Sequence, residues 1–267
     1  MKKSFLTILL IIIMVLSIVL LSACNREMDS QQAKETVLKI LKDLNALKDF
    51  QLETQTFSLI NDDEEDYSAI ENSYILKSSG EQENKKVYYK MDSRDITSPD
   101  KKSYSQNIGE IYFGKAGDKY YYFLTVEDNE YQQGELKSNK SEKEYEIVEE
   151  SEFLEESADF QDTIFKNFFK VLKYSFAELL ELEDAKITAT KSFKNMALTL
   201  SYTEEEVTYN MNIDFTKDRI NKILTTVTSE EDGKTIEIYS ITHVFTYNIK
   251  SIKLPSTDDY ELRENSW

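Results

Sequence analysis

Catalysis needs side chains that trade protons, attack carbon or hold a metal, and this 267-residue chain has few arranged for it. It contains one histidine, His243, and one cysteine, Cys24. His243 falls on the phase of Ile241 and Phe245 in an apolar run, where a core or rim role is expected. No second histidine and no other thiol exist to complete a nucleophile–base pair. Zinc sites built from His and Cys fail on the same count. The 50 acidic residues offer carboxylate pairs everywhere, so a hydrolase would be recognised only by a cleft holding two of them about 5 to 9.5 Å apart. Asn61-Asp62-Asp63-Glu64-Glu65-Asp66 spaces oxygen ligands as a calcium loop does, but Asp66 stands where such a loop needs its glycine. A solvated loop is the expectation there. With 6 glycines and no Gly-rich phosphate loop, the chain reads as non-catalytic, with no cofactor and no metal.

Cys24 has the clearest chemical task. Lys2 and Lys3 give a basic start, Phe5 to Leu21 is almost wholly apolar, and Leu21-Ser22-Ala23-Cys24 closes the run. A basic end, an apolar stretch and small residues before a cut are the parts of a secretory signal. The run is about long enough to span a bilayer as a retained helix, but the place of the cysteine favours cleavage. Leu-Ser-Ala-Cys resembles the lipobox of bacterial lipoproteins. The resemblance implies a diacylglycerol on the Cys24 thiol, cleavage before it, and residence on the extracytoplasmic side of a cell membrane, in a Gram-positive-type envelope. Each buried methylene contributes about 0.8 kcal/mol, and two chains hold where one is marginal.

Charge narrows the partners. The formal net charge is -18, and loss of Lys2 and Lys3 makes it more negative still. Nucleic acid is excluded as a general partner, and the overall acidity opposes lying flat on anionic lipid. With its one cysteine lipidated the chain forms no internal disulfide, so Cys24 to Trp267 must be held by a hydrophobic core.

The elements follow from periodicity. Residues 1–23 form the leader, 24–32 a polar tether, and 33–267 one domain, since no Pro/Gly/Ser linker divides it. Ala33 to Lys48 carries Val37, Ile40, Leu41, Leu44 and Leu47 on one helical face, with Ser30 a candidate N-cap. That face docks on its own domain or on the membrane. Strands are expected at Gln51 to Ile60, Ser68 to Ser79, Lys86 to Met91, Ser103 to Gly114, Lys119 to Val126 and Tyr145 to Val148. A second helix spans about Ala158 to Leu182. Five more strands follow, the clearest being Val207 to Phe215, where apolar and polar residues alternate strictly. The apolar phase of Thr235 to Ile249 changes near Tyr239-Ser240, which predicts a bulge. Helix, six strands, helix, five strands, joined by short connections, make an antiparallel meander with helices packed on it, an α+β fold.

The 17 tyrosines and 14 phenylalanines fill a core or line a cavity. On the cavity reading a curved sheet stays open, the aromatic helix covers its concave side, and Tyr121, Phe123, Phe165, Phe168, Phe169, Leu172 and Phe176 face an apolar ligand.

Two stretches add a likeness. Val207 to Leu224 (VTYNMNIDFTKDRINKIL) is strand, charged turn, strand, and Phe245 to Pro255 (FTYNIKSIKLP) ends the sheet. With the lipobox and leading helix, the chain resembles the LolA/LppX-like lipoproteins over Ala33 to about Tyr260. The resemblance implies a half-barrel of about 10–11 antiparallel strands, covered by helices on its concave side, and a lipid or acyl chain as ligand. Some members of that family instead bind proteins of the envelope, so an adaptor without a small ligand is the alternative. High acidity and scarcity of Pro and Gly depart from its better-known members, and no ligand-binding positions carry over.

Overall fold

The computed structural model describes residues 26–62, 66–231 and 234–263. The leader and Cys24 lie outside these residues, as do Asp63 to Glu65 of the acidic loop. After a two-residue strand β1 (Arg26–Glu27) come helix α1 (Ser30–Lys42) and six long strands: β2 (Phe50–Asn61), β3 (Ser68–Ser79), β4 (Lys86–Ile96), β5 (Tyr104–Ala116), β6 (Lys119–Gln132) and β7 (Glu135–Val148). Helix α2 (Glu150–Phe168) leads into a small hairpin, β8 (Lys170–Val171) and β9 (Tyr174–Ser175), and then helix α3 (Phe176–Glu181). Strands β10 (Lys186–Ser192), β11 (Asn195–Glu204), β12 (Val207–Phe215), β13 (Ile220–Glu231) and β14 (Lys234–Tyr247) follow, with a final β15 (Glu261–Leu262).

All but β8 and β9 form one open, thirteen-stranded sheet, ordered β1-β10-β11-β12-β13-β14-β2-β3-β4-β5-β6-β7-β15. The two outermost strands are two residues long, so eleven long strands carry the sheet, antiparallel throughout; only β15 joins its neighbour β7 in parallel. Each half is a meander, and β14 joins them by pairing with β2, setting Tyr247 opposite Phe50, Phe245 opposite Leu52 and His243 opposite Thr54.

Alternation decides which face is dry. In β12 the residues Tyr209, Met211, Ile213 and Phe215 are buried, and they lie beside Tyr202, Leu200, Leu198 and Met196 of β11. The bulge in β14 falls at Ile238, which has no partner in β13 between Tyr239 and Glu237, one residue before the predicted pair.

The helices pack on this dry face. Phe153 of α2 meets Tyr120 of β6, Phe160 meets Phe113 of β5 and Tyr89 of β4, Phe165 stacks on Phe50 of β2, and Phe168 meets Tyr74 of β3. From Phe153 to Phe165 the helix rises about 18 Å, close to the roughly 19 Å that separates β6 from β2. Helix α2 therefore runs across the strands. Helix α1 lies beside α3 and over β10 and β11, so its apolar face docks on its own domain.

Three expectations change. The second helix is not continuous over 158–182: it starts at Glu150, stops at Phe168, and α3 begins afresh under a capping box of Ser175 and Glu178. Leu172, with φ +52°, turns the β8–β9 hairpin between them. The first helix is capped by Asp29, whose side chain accepts from the Gln32 backbone N–H, and the expected tether is partly strand: Met28 N–H donates to the Ala189 carbonyl at 3.0 Å. After β14 the chain leaves the dry face. Ile252 N–H reaches Ser79 Oγ, and Leu254 presses on Gly114 so closely that a Cβ there would lie 2.9 Å from it.

Candidate functional site

Four of the predicted ligand-facing residues come together, but as packing. Phe165, Phe168, Phe169 and Phe176 are buried. Phe169 stacks 4.9 Å from His243 and meets Phe176 edge-on at 5.4 Å, and Phe176 meets His243 at 5.5 Å. Ring-on-ring contact at these separations leaves them filling the space between α2, α3 and the β14–β2 seam. The other three lie elsewhere. Leu172 sits half exposed at its hairpin tip. Tyr121 and Phe123 point to the opposite face of the sheet, where Phe123 meets Tyr260 at 5.1 Å and Tyr145 at 6.0 Å.

His243 is the core residue its phase predicted. Its Nδ1 lies 2.8 Å from Thr54 Oγ1, both residues wholly buried. Burial pushes the imidazole down to about 3, against a weak pull from the Phe168 backbone toward the charged form. Nε2 has no partner of normal hydrogen-bond geometry among the described residues. The ring is neutral and serves packing.

The open space lies at the other end of α2, a cleft of about 840 Å³ between that helix and strands β5 to β7. Its floor is Ile111, Phe113 and Tyr122, and Phe160 and Val148 form its walls. These side chains arise from the in-facing phase of β5, β6 and the end of β7 and from one face of α2, where Phe160 lies two turns beyond Phe153. The rim is acidic: Glu146 from β7, and Glu152, Glu155, Glu156 and Asp159 from α2, with Arg263 the counter-charge. Desolvation, and then repulsion by Glu152, Glu146 and Glu155, raises the Glu156 carboxyl above its ordinary value. Tyr122 is raised too, first by burial and then by the Glu156 charge. An apolar floor under an acidic rim is an arrangement able to take a hydrocarbon or ring, with the charge suited to a cationic end.

The sequence held part of this signal. Tyr120-Tyr121-Tyr122-Phe123 contains both faces of β6, but four aromatics in a row have no alternation to tell which two point inward. No three His, Cys, Asp or Glu side chains among the described residues come together in a metal-holding arrangement. No helix among the described residues is long and apolar enough to cross a membrane. Compared with protein-family models, with curated proteins and with solved structures, the chain matches none.

Proposed function

We propose that this protein is a non-catalytic, lipid-anchored extracytoplasmic protein that shelters an apolar ligand, a lipid or acyl chain, in the cleft between α2 and β5–β7. In this reading the open sheet is a half-barrel of the LolA/LppX-like kind with its helices on the concave side. The observation that carries it is the cleft itself, where open space of about 840 Å³ borders apolar side chains of sheet and helix beneath a charged rim. The acidic rim favours amphiphiles whose polar end is cationic over free fatty acids.

Two experiments test it. Native mass spectrometry of gently purified protein should find an apolar molecule bound, and Thr163→Trp, an exposed substitution lining the cleft, should empty it without unfolding the protein. A wild-type protein that carries no apolar molecule and leaves an environment-sensitive acyl probe unshifted sinks the binder reading. The anchor is tested apart from this: Cys24→Ala should release the protein from the membrane, and unchanged retention overturns the lipid attachment. The same carboxylate rim also suits a basic surface on another envelope protein, the adaptor reading. Crosslinking in cells that returned a stoichiometric partner, with no ligand in the cleft, would favour it.

A further inference from the structure

One corner of the sheet's far edge gathers cations in an otherwise acidic chain. Beside β1 a surface depression of about 880 Å³ is bordered by Lys191, Lys194, Lys217 and Arg219, with Asp218 the one acidic residue among its lining. Four cations to one anion reverse the balance of the whole chain, 32 basic to 50 acidic. The cluster is assembled from two neighbouring turns, the β10–β11 hairpin and the β12–β13 connection. Asp218 is engaged locally, accepting from Thr216 Oγ1 at 2.8 Å and lying 3.7 Å from Arg219 Nε.

At the tip of the β10–β11 hairpin stands Phe193, 81% exposed, the most exposed large apolar residue described. Its φ is +54°, a region that favours glycine and disfavours a bulky side chain. The ring is thus unfavourable twice over, in its backbone conformation and in its hydration, and an outlier of this kind points to use outside the fold. Lysines flank it at 191 and 194.

The chain direction supplies the third observation. β1 runs antiparallel to β10, with Glu27 opposite Thr190 and Arg26 opposite Lys191. Falling residue numbers therefore move along the sheet edge toward the Phe193 tip. Only Asn25 separates Arg26 from Cys24, at most about 7 Å of chain. The point where the chain leads off to its apolar leader and lipid-bearing cysteine is the point where the basic turns and the bare aromatic ring project.

We infer that this edge is a membrane-docking surface: Phe193 enters the interfacial layer of the bilayer while Arg26, Lys191, Lys194, Lys217 and Arg219 bind anionic lipid headgroups. Interfacial aromatics and juxtamembrane cations act together in this way. The surface fixes the orientation of the domain, which an anchor alone leaves to swivel. The inference shares with the proposed function the presence of a bilayer but not the cleft or its ligand.

The test uses the full chain carrying Phe193→Trp with Trp267→Phe, so that position 193 bears the one indole. The protein is reconstituted into vesicles of phosphatidylcholine alone, or with phosphatidylglycerol, containing brominated acyl chains. The expected result is a blue-shifted, bromine-quenched indole on the anionic vesicles. Each of Lys191→Gln, Lys194→Gln and Lys217→Gln should lower the docked-to-undocked ratio about fivefold, and about 1 M salt should shrink the difference between lipids. These positions are exposed turn or edge residues, and circular dichroism checks that the variants fold. Flotation reads the anchor separately. Protein that floats with an unquenched, water-like indole overturns the docking surface and leaves the anchor standing. Protein that stays in solution with both vesicle types overturns both. Quenching that is equal on neutral vesicles and indifferent to salt overturns the headgroup assignment. An indole shielded in native membranes but not in protein-free vesicles assigns the face to a protein partner and overturns the lipid one.

Discussion

Removing the buried histidine should change how stability depends on pH more than it changes stability itself. In the folded state His243 stays neutral down to about pH 3, whereas in the unfolded chain it titrates near 6.5. Between those values the unfolded state binds a proton that the folded state does not, so stability falls as pH falls through this window. Each pH unit below 6.5 costs about 1.4 kcal/mol, which at pH 5 amounts to about 2 kcal/mol. His243→Leu alone would strand the Thr54 hydroxyl, so the cleaner perturbation is Thr54→Val with His243→Leu, which removes both ends of the 2.8 Å contact. Urea unfolding of residues 25–267, which hold every described strand and every described core residue, gives the free energy at pH 7 and pH 5. The double variant should resemble wild type at pH 7 and lose about 2 kcal/mol less than wild type on going to pH 5. Carboxylates titrate in both proteins and cancel in the comparison. Parallel pH profiles for the two would refute the claim that the ring is held neutral by burial.

Three further outcomes are expected. Leu172→Gly places the residue best suited to φ +52° at an exposed tip and should raise stability by about 1 kcal/mol in thermal or urea melts. Gly80→Ala should do the reverse, by roughly 2 kcal/mol or more, because φ is +79° and the new Cβ would lie 2.5 Å from the Asn84 carbonyl oxygen, a backbone atom that cannot swing aside. Glu156→Gln should stabilise the protein slightly at neutral pH: the folded carboxyl is raised, so its charged form is the disfavoured one, and the gain should vanish as pH falls below the ordinary carboxylate range. A melting temperature for Glu156→Gln below wild type at pH 7 contradicts the repulsive rim.

Much of the sheet was legible because one face is dry. Val207 to Phe215 alternates strictly and is a strand over those residues, and Ser68–Ser79 matches its expected bounds. Glu135 to Glu144 was missed for the converse reason. It belongs to the penultimate strand, is exposed over most of its length, and so has no apolar period to read. The turns were hidden by composition. Lys101, Gln133, Leu172, Phe193, Glu205 and Asn248 all take positive φ, and only the asparagine signals it by type. That is why the aromatic stripe from Phe160 to Phe176 read as one helix, when Leu172 folds the chain back between two. For the cleft, the sequence pointed to β6 and to an aromatic helix but to none of the apolar lining: Tyr121 and Phe123 lie on the other face of β6, and Phe165, Phe168, Phe169 and Phe176 lie at the packed end, away from Ile111, Phe113, Tyr122 and Phe160. The basic edge was the least visible, since Lys191, Lys217 and Arg219 come together only through the sheet, and the legible hint was a phenylalanine between Ser192 and Lys194 where a turn residue was due.

The β14–β2 seam also governs how the molecule is assembled. Its central contact, Thr54 to His243, closes across 189 positions of chain, whereas the other long strands pair with sequence neighbours. Each meander can form early from local contacts, yet each then waits with a long bare edge, β2 on one and β14 on the other. Closing that seam is the slow, high-contact-order step, and Phe165 to Phe169, which rest on rings from both sides, can reach their final packing only when it is done. A newly made chain therefore has an interval in which two strand edges stand open to a second copy. A high concentration of folding chains should favour tangled dimers over monomers until the seam shuts.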